Sequence, residues 1–314
     1  MKTLDGTKIS RIGFGCWPLA GISTLGVNQS DSVATVRSAI EEGINLFDTA
    51  YSYGYEGEAA SVLQTVLPDT RDSLFLCSKV GQHFDSQRQR AVDGRPETLL
   101  RHCKQELQRL NVATLDLLYL HQPDPEVPIT ESASAIADMV ERGYARYAGV
   151  SNVNLPQLEE FCRYCPTQFV QLPFNMLQRA SAQELGSYCC ENAIHVVSYW
   201  ALMKGVLAGR FERDHVFDPS DRRLQYDIYQ GEKWQCCQDL LDRLREFAKQ
   251  NSCTVAQLVL AWTVAQEPIS CALVGAKRPY QIQETAAAIQ LTLSEQLARE
   301  IDKAALALID RLKS

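Results

Sequence analysis

Short β-prone runs return eight times along the chain, and most of the intervals between them carry apolar residues at helical spacing. The runs are Ile12 to Cys16, Asn45 to Ala50, Leu74 to Lys79, Leu115 to His121, Ala145 to Ser151, Gln168 to Phe174, His195 to Leu202 and Ser270 to Gly275. Ser32 to Glu42 reads as a helix that stops at Gly43, a residue suited to the left-handed turn after a helix. Leu99, Cys103, Leu107 and Leu110 share one helical face, and Trp234, Cys237, Leu241 and Leu244 share another. Strand and helix in alternation call for a parallel sheet, because each helix is the crossover that returns the chain to the same end of the sheet. Eight such units in 314 residues predict an α/β fold, the (β/α)8 TIM barrel, with the excess over a plain barrel of roughly 250 residues spent in loops and terminal additions. A doubly wound open sheet is the competing topology. Before the first run, Leu4-Asp5-Gly6-Thr7 carries an Asp-Gly turn signal between two short β-capable pieces, which predicts an N-terminal β-hairpin placed to plug the barrel bottom.

Several classes of protein fit this chain poorly. Its opening, MKTLDGTKIS, is polar, and no later stretch is apolar for the length of a membrane span, so a soluble cytoplasmic protein with no membrane partner is expected. A net charge of −7 and a pI near 5.4 lack the basic footprint of nucleic-acid binding. Eleven cysteines, an odd number, point to reduced thiols and not a disulfide framework. Cys162 and Cys165 have CxxC spacing, but they fall in helical register with Leu158 and Phe161 and have no second ligand pair nearby, so they read as small apolar residues and no metal is expected. Gly13-Phe14-Gly15 suggests a dinucleotide-binding turn, yet Pro18 stands where its third glycine belongs. Internal repeats and linker-like tracts are missing, which predicts one domain over residues 1–314; the sequence does not set an oligomeric state.

In a barrel the ends of successive strands converge on one mouth, so residues far apart in sequence meet there. Asp48, Lys79 and His121 close the second, third and fourth predicted strands, and Tyr53 lies in the loop after the second. An ammonium beside a phenol favours the phenolate and eases release of its proton, a carboxylate can hold that ammonium, and an imidazole can donate to a carbonyl oxygen that gains charge. The set suits protonation of a carbonyl. Alone, Asp48 reads as a capping or ion-pairing acid, and Tyr51 as packing.

The stretch DTAYSYG at 48–54, the strand end Leu76-Cys-Ser-Lys79, Tyr119-Leu-His-Gln-Pro123 and Gly149-Val-Ser-Asn152 resemble, in this order and over nearly the whole chain, the aldo-keto reductases. The resemblance implies a catalytic tetrad of Asp48, Tyr53, Lys79 and His121, selecting Tyr53 over Tyr51 by its spacing from the aspartate. It implies NADPH/NADP+ as cofactor, with Ser151, Asn152 and Gln171 on the nicotinamide carboxamide and Tyr199 stacked on its ring. The stretch Gly275-Ala-Lys-Arg-Pro-Tyr-Gln281 and on to Glu284 would grip the adenosine end, with Lys277 or Arg278 on the 2'-phosphate. Trp17 and Phe84 are the expected substrate contacts, with His83 near the same mouth; for Trp17 the rival reading is ordinary core. Two positions depart from the family: Thr285 replaces a common asparagine, and Trp200-Ala201 replaces a common Ser-Pro. The activity implied is reduction of aldehyde or ketone carbonyls to alcohols, a small-molecule substrate being the partner. Two alternatives remain: an NADPH-binding regulatory subunit resembling potassium-channel β subunits, and a Schiff-base aldolase using Lys79. The polar segment 211–231 exceeds an ordinary βα connection and reads as a flap or a solvated loop.

Overall fold

Eight parallel strands close on themselves in the order β3 (Ile12–Gly15), β4 (Leu46–Asp48), β5 (Phe75–Val80), β8 (Leu115–Leu120), β9 (Ala145–Ser151), β10 (Phe169–Pro173), β11 (His195–Tyr199) and β12 (Ile269–Val274). This computed structural model describes residues 2–4 and 6–313. The pairing Ala272↔Ile12, Leu273↔Gly13 and Val274↔Phe14 joins the last strand to the first and rules out the open-sheet alternative. Helices α1 (Gln29–Glu41), α2 (Glu58–Thr70), α3 (Pro96–Leu110), α4 (Ile129–Glu141), α5 (Leu155–Tyr164), α6 (Ala180–Glu191), α7 (Gly231–Gln250), α8 (Val255–Ala265) and α9 (Pro279–Ala286) follow the strands, and α10 (Glu295–Lys313) packs against α7.

The expected N-terminal hairpin is present as β1 (Lys2–Leu4) and β2 (Thr7–Ile9), antiparallel with Leu4 opposite Thr7. Its expected turn residue Asp5 lies outside the described residues, while Gly6 takes the left-handed φ of 82°. Ile9 packs with the inward side chains Leu46, Phe75, Leu117, Phe169 and Leu273, so the hairpin closes the barrel floor.

All eight expected strands exist, with small shifts at their ends. The strand expected over His195 to Leu202 stops at Tyr199, because Trp200 turns to φ 58°. Helix α1 begins earlier than its apolar pattern, since Asn28 caps it by accepting the Asp31 amide at 2.9 Å. One element is new: a second hairpin, β6 (Gln82–Phe84) with β7 (Arg90–Val92), rises directly after β5. Segment 211–231 is neither open nor merely solvated. Phe211, His215 and Phe217 pack together and onto Tyr229 and Trp234, and two short 3-10 turns, Arg222–Gln225 and Asp227–Tyr229, order the rest.

Strand periodicity then sorts the chemistry. Along β4, β5, β8, β10 and β11, every second residue points inward, apolar at the floor and polar at the rim: Leu46 then Asp48, Cys77 then Lys79, Tyr119 then His121, Phe169 then Gln171, Val197 then Tyr199. The glycine of Gly149-Val-Ser is required by this layering. A Cβ on Gly149 would lie 2.5 Å from the Tyr119 ring and 2.9 Å from the Phe169 carbonyl oxygen.

Outward residues of the same strands face the helices, and one such contact buries an acid. Ser78 Oγ donates to Glu106 Oε1 of α3 at 2.9 Å, with Glu106 fully enclosed. Burial raises its carboxyl from 4.5 to about 7, against the smaller opposing pull of Ser78 and Arg109. Between these values the folded protein holds a proton that the unfolded chain has released, so stability falls as pH rises through that window. Glu106→Gln removes the titration. Urea unfolding should therefore show the variant gaining roughly 3 kcal/mol relative to wild type between pH 4.5 and 7.5; parallel stability curves would remove Glu106 as the source.

Candidate active site

Asp48, Lys79 and His121 sit at the C-terminal rim of β4, β5 and β8, and register brings them together: Asp48 lies opposite Cys77, and Lys79 opposite Tyr119. Beyond β4 the loop stays against its neighbour, Thr49 and Tyr51 donating their amides to the carbonyls of Cys77 and Lys79. Gly54 at φ 130° and Gly57 at φ 87° then fold the loop back so that Tyr53 enters the mouth. A side chain on Gly54 would strike the Glu58 backbone nitrogen at 2.5 Å, so the return requires glycine there.

Lys79, wholly inaccessible, uses all three of its ammonium hydrogens: on Asp48 Oδ1 at 2.5 Å, the Thr49 carbonyl at 2.9 Å and the Tyr53 hydroxyl oxygen at 3.1 Å. Tyr53 is thus an acceptor towards Lys79, and its own O–H is left to donate elsewhere. The second Asp48 oxygen accepts from Gln171 Nε2 at 2.8 Å.

Burial alone would lower the Lys79 ammonium, but Asp48 and Tyr53 outweigh it and hold its pKa above the ordinary value. That disfavours the aldolase alternative, which needs a neutral amine. Burial pushes the Tyr53 phenol above 10, opposed by Lys79 and reinforced by Asp48. Lys79 lowers this pKa as the sequence implied, but desolvation exceeds it, so the expected net lowering is corrected to a net rise. His121 is held well below 6.5, first by burial and then by the charges of Lys79 and Arg90, so its ring is neutral at pH 7. Its Nδ1 lies 3.5 Å from Ser52 Oγ. With Ser52 donating to Nδ1, the proton stays on Nε2, able to donate.

The remaining expected residues divide into two groups. Around the mouth, Trp17 packs edge-on to Tyr53 at 5.3 Å, and Tyr53 lies 6.0 Å from the His121 ring. Ser151 ends β9, and Asn152, at φ 60°, bonds the His121 carbonyl at 2.9 Å through Nδ2 and accepts from the Tyr199 hydroxyl at 2.7 Å. Phe84 lies against Tyr55 at 4.8 Å on the second hairpin. His83 turns the other way, to His102 at 5.4 Å. Tyr51 also points away from the mouth, stacked on His102 at 3.9 Å and donating to Gln105 at 2.7 Å.

The second group follows β12. Gly275 packs so closely on Pro18 that a Cβ would lie 2.6 Å from its ring. Lys277 donates from Nζ to the Leu25 carbonyl at 2.7 Å, and its amide donates to Gln281 Oε1 at 2.9 Å. Arg278 donates to the Gly26 carbonyl at 3.0 Å and pairs with Asp31 at 3.3 Å. Glu284 is ion-paired with Arg210, and Thr285 turns its hydroxyl back to the Gln281 carbonyl at 3.0 Å. The residues expected at the adenosine end thus follow β12, where Lys277 and Arg278 contact the Leu25–Gly26 backbone.

Two features were invisible in sequence. Trp200, Met203 and Lys204 all take positive φ, at 58°, 44° and 55°, ahead of Gly205 at 104°. Left-handed backbone at non-glycine residues costs of order 1–3 kcal/mol each, and such strain gathers at ligand sites. Arg90 is the other: it stands over Trp17 at 5.0 Å, but its strand, β7, has no apolar alternation to announce it. A polar groove lined by Arg71, Asp116 and Arg146 lies at the opposite face, where Asp116 is bridged by both arginines; that end of a barrel serves stability. Among the described residues no group of three or more His, Cys, Asp or Glu is arranged for a metal ion, and no helix is long and apolar enough to cross a membrane.

Comparison with known proteins gives consistent matches. The family model for the Aldo/keto reductase family matches residues 11–306. Aldo-keto reductase YhdN of Bacillus subtilis is 28% identical, the match covering 95% of this chain and 90% of that protein. An NADH-specific methylglyoxal reductase of Escherichia coli is 28% identical over 94% of each chain. Among solved structures, the glycerol dehydrogenase AKR11B4 from Gluconobacter oxydans superposes with a TM-score of 0.90 at 28% identity, covering 97% of this chain and 93% of the other.

Proposed function

The chain belongs to the aldo/keto reductase family, whose members reduce carbonyls with a nicotinamide cofactor, and from that premise we propose that it reduces aldehydes using NADPH, with Tyr53 as proton donor. The observation that carries this reading is the exhausted hydrogen count of Lys79. With its three hydrogens committed, the Tyr53 proton is free to point into the mouth beside a neutral His121. A carbonyl oxygen placed there receives hydrogen bonds from Tyr53 and from His121 Nε2, and it takes the Tyr53 proton as negative charge develops. Bound NADPH supplies the hydride that reaches the carbonyl carbon. Aldehydes are favoured over ketones because the carbonyl carbon is less hindered and more electrophilic.

The residues fit such a cofactor. The half-exposed Tyr199 ring is fixed through Asn152, which suits stacking on a nicotinamide. The left-handed residues Trp200, Met203, Lys204 and Gly205 and the cations Lys204, Lys277 and Arg278 suit a polyanion. Ser151 and Asn152 would hold the carboxamide, together with Gln171, which also donates one amide hydrogen to Asp48. Lys277 and Arg278 are engaged with backbone carbonyls and Asp31, contacts that a 2'-phosphate would replace. The relatives bear the names of reductases and dehydrogenases, and no observation favours the regulatory-subunit alternative.

The direct test is loss of NADPH absorbance with aromatic and short aliphatic aldehydes; no turnover across a broad panel, with NADPH bound, would overturn the reductase reading. Cofactor choice has its own test. Lys277→Ala with Arg278→Ala should weaken NADPH by about 10- to 100-fold, the equivalent of one charged contact at roughly 1.5–3 kcal/mol, and leave NADH nearly unchanged. Equal weakening of both cofactors by fluorescence titration would assign the loss to the loop as a whole.

A further inference from the structure

The second hairpin sets a cation at the mouth with nothing to neutralise it. In the β6–β7 pairing Phe84 lies opposite Arg90, so both project from one face, while His83, opposite Ala91, projects from the other and reaches His102. The Arg90 guanidinium stands 5.0 Å from the Trp17 ring centroid and 5.6 Å from that of Phe84. Trp17 in turn packs on Tyr53 at 5.3 Å. One indole therefore separates Arg90 from the phenol assigned as proton donor. Its charge also reaches His121, where it contributes to keeping the ring neutral.

Three acids around this hairpin, Asp85, Asp93 and Asp124, have partners of their own. Asp85 Oδ1 accepts the amides of Gln87 and Gln89, each at 2.8 Å. Asp93 is gripped by the Arg95 side chain and by Thr98. Asp124 accepts the amides of Gly94 and Glu126, each at 2.9 Å. Among the described residues Arg90 makes no ion pair and no hydrogen bond, although it is held between two aromatic rings. Arg90 is solvent-exposed, and its planar fork of donors has no protein partner while its guanidinium lies over the Trp17 ring beside the mouth.

Building on the reductase reading, we infer that Arg90 selects substrates: it binds a carboxylate at the far end of an aldehyde whose carbonyl lies at Tyr53 and His121. The carboxylate matches the fork in two parallel hydrogen bonds, and the rings of Trp17 and Phe84 flank the intervening aryl or short alkyl carbons. Arg90 touches neither the reacting carbonyl nor the tetrad, and burial, the first cause of His121's neutrality, remains without it, so its loss alters selectivity and leaves the chemical step in place.

The test compares 4-carboxybenzaldehyde with its methyl ester, methyl 4-formylbenzoate, which differ in charge at the far end. Wild type should favour the acid in kcat/KM by about 10- to 100-fold, the scale of one charge-assisted contact. Arg90→Gln should abolish that preference through KM while the ester rate stays unchanged. Arg90→Lys should restore part of it, because charge returns without the fork. Equal rates for the two substrates in wild type, or a preference that survives in Arg90→Gln, would overturn the assignment while leaving the reductase reading intact. If wild type reduces neither compound, the broad aldehyde panel decides the reductase reading. Binding of 4-carbamoylbenzoate, followed by saturation-transfer NMR, then decides the site alone: binding lost in Arg90→Gln supports it, and binding absent from wild type or equal in both overturns it.

Discussion

Tyr53→Phe is expected to bind NADPH within about twofold of wild type and to lose roughly 10²- to 10⁴-fold in kcat for aldehyde reduction, the range that a positioned general acid contributes. The substitution keeps the ring that packs on Trp17 and removes only the hydroxyl that Lys79 addresses at 3.1 Å. Thermal unfolding should shift little, because two of the three Lys79 partners remain. The wild-type pH profile carries a second signature. Since burial raises the phenol above its ordinary value, the acid form persists through the neutral range, and reduction should hold there and fall only at alkaline pH as the phenol ionises. His121, neutral down to well below 6.5, introduces no break near neutrality. A Tyr53→Phe variant with wild-type kcat would remove Tyr53 from the chemistry, and a wild-type rate that falls away near pH 7 would show that another group titrates in the reaction.

Much of this site was legible because strand periodicity does the placing. An inward residue at the end of a parallel strand has only the mouth to face, so Asp48, Lys79 and His121 could be brought together from strand ends alone. The fold followed from the same repetition. What stayed hidden depends on backbone that carries no periodic signal. The left-handed turn through Trp200, Met203 and Lys204 occurs at residues with no intrinsic preference for it, so it is imposed by tertiary packing. The β6–β7 hairpin has strands of three residues, too short for alternation to emerge, and its Arg90 differs from any surface arginine only through what surrounds it. The direction of the Tyr53 shift was missed for a related reason: a neighbouring ammonium can be named from sequence, whereas the depth of burial that outweighs it cannot.

Lys79→Met separates what the buried ion pair does for folding from what it does for catalysis. Removing the ammonium leaves Asp48, 1% exposed, with Gln171 as its remaining side-chain hydrogen-bond donor, and stranding one partner of a buried pair costs about 3–5 kcal/mol. A second change, Asp48→Asn, removes the stranded charge, so the double variant should recover most of that loss in urea unfolding. Activity should not return with it. As Tyr53 gives up its proton, negative charge appears on an oxygen enclosed beside Asp48, and Lys79 is the cation in contact with it. Without Lys79 that charge is unscreened in a dry site, a loss on the scale of one oxyanion donor, about 10²- to 10³-fold in kcat. The double variant should therefore be stable and nearly inactive. Recovery of stability and activity together would mean that Lys79 serves only to neutralise Asp48, and the proton-transfer role assigned to the Lys79–Tyr53 contact would fall.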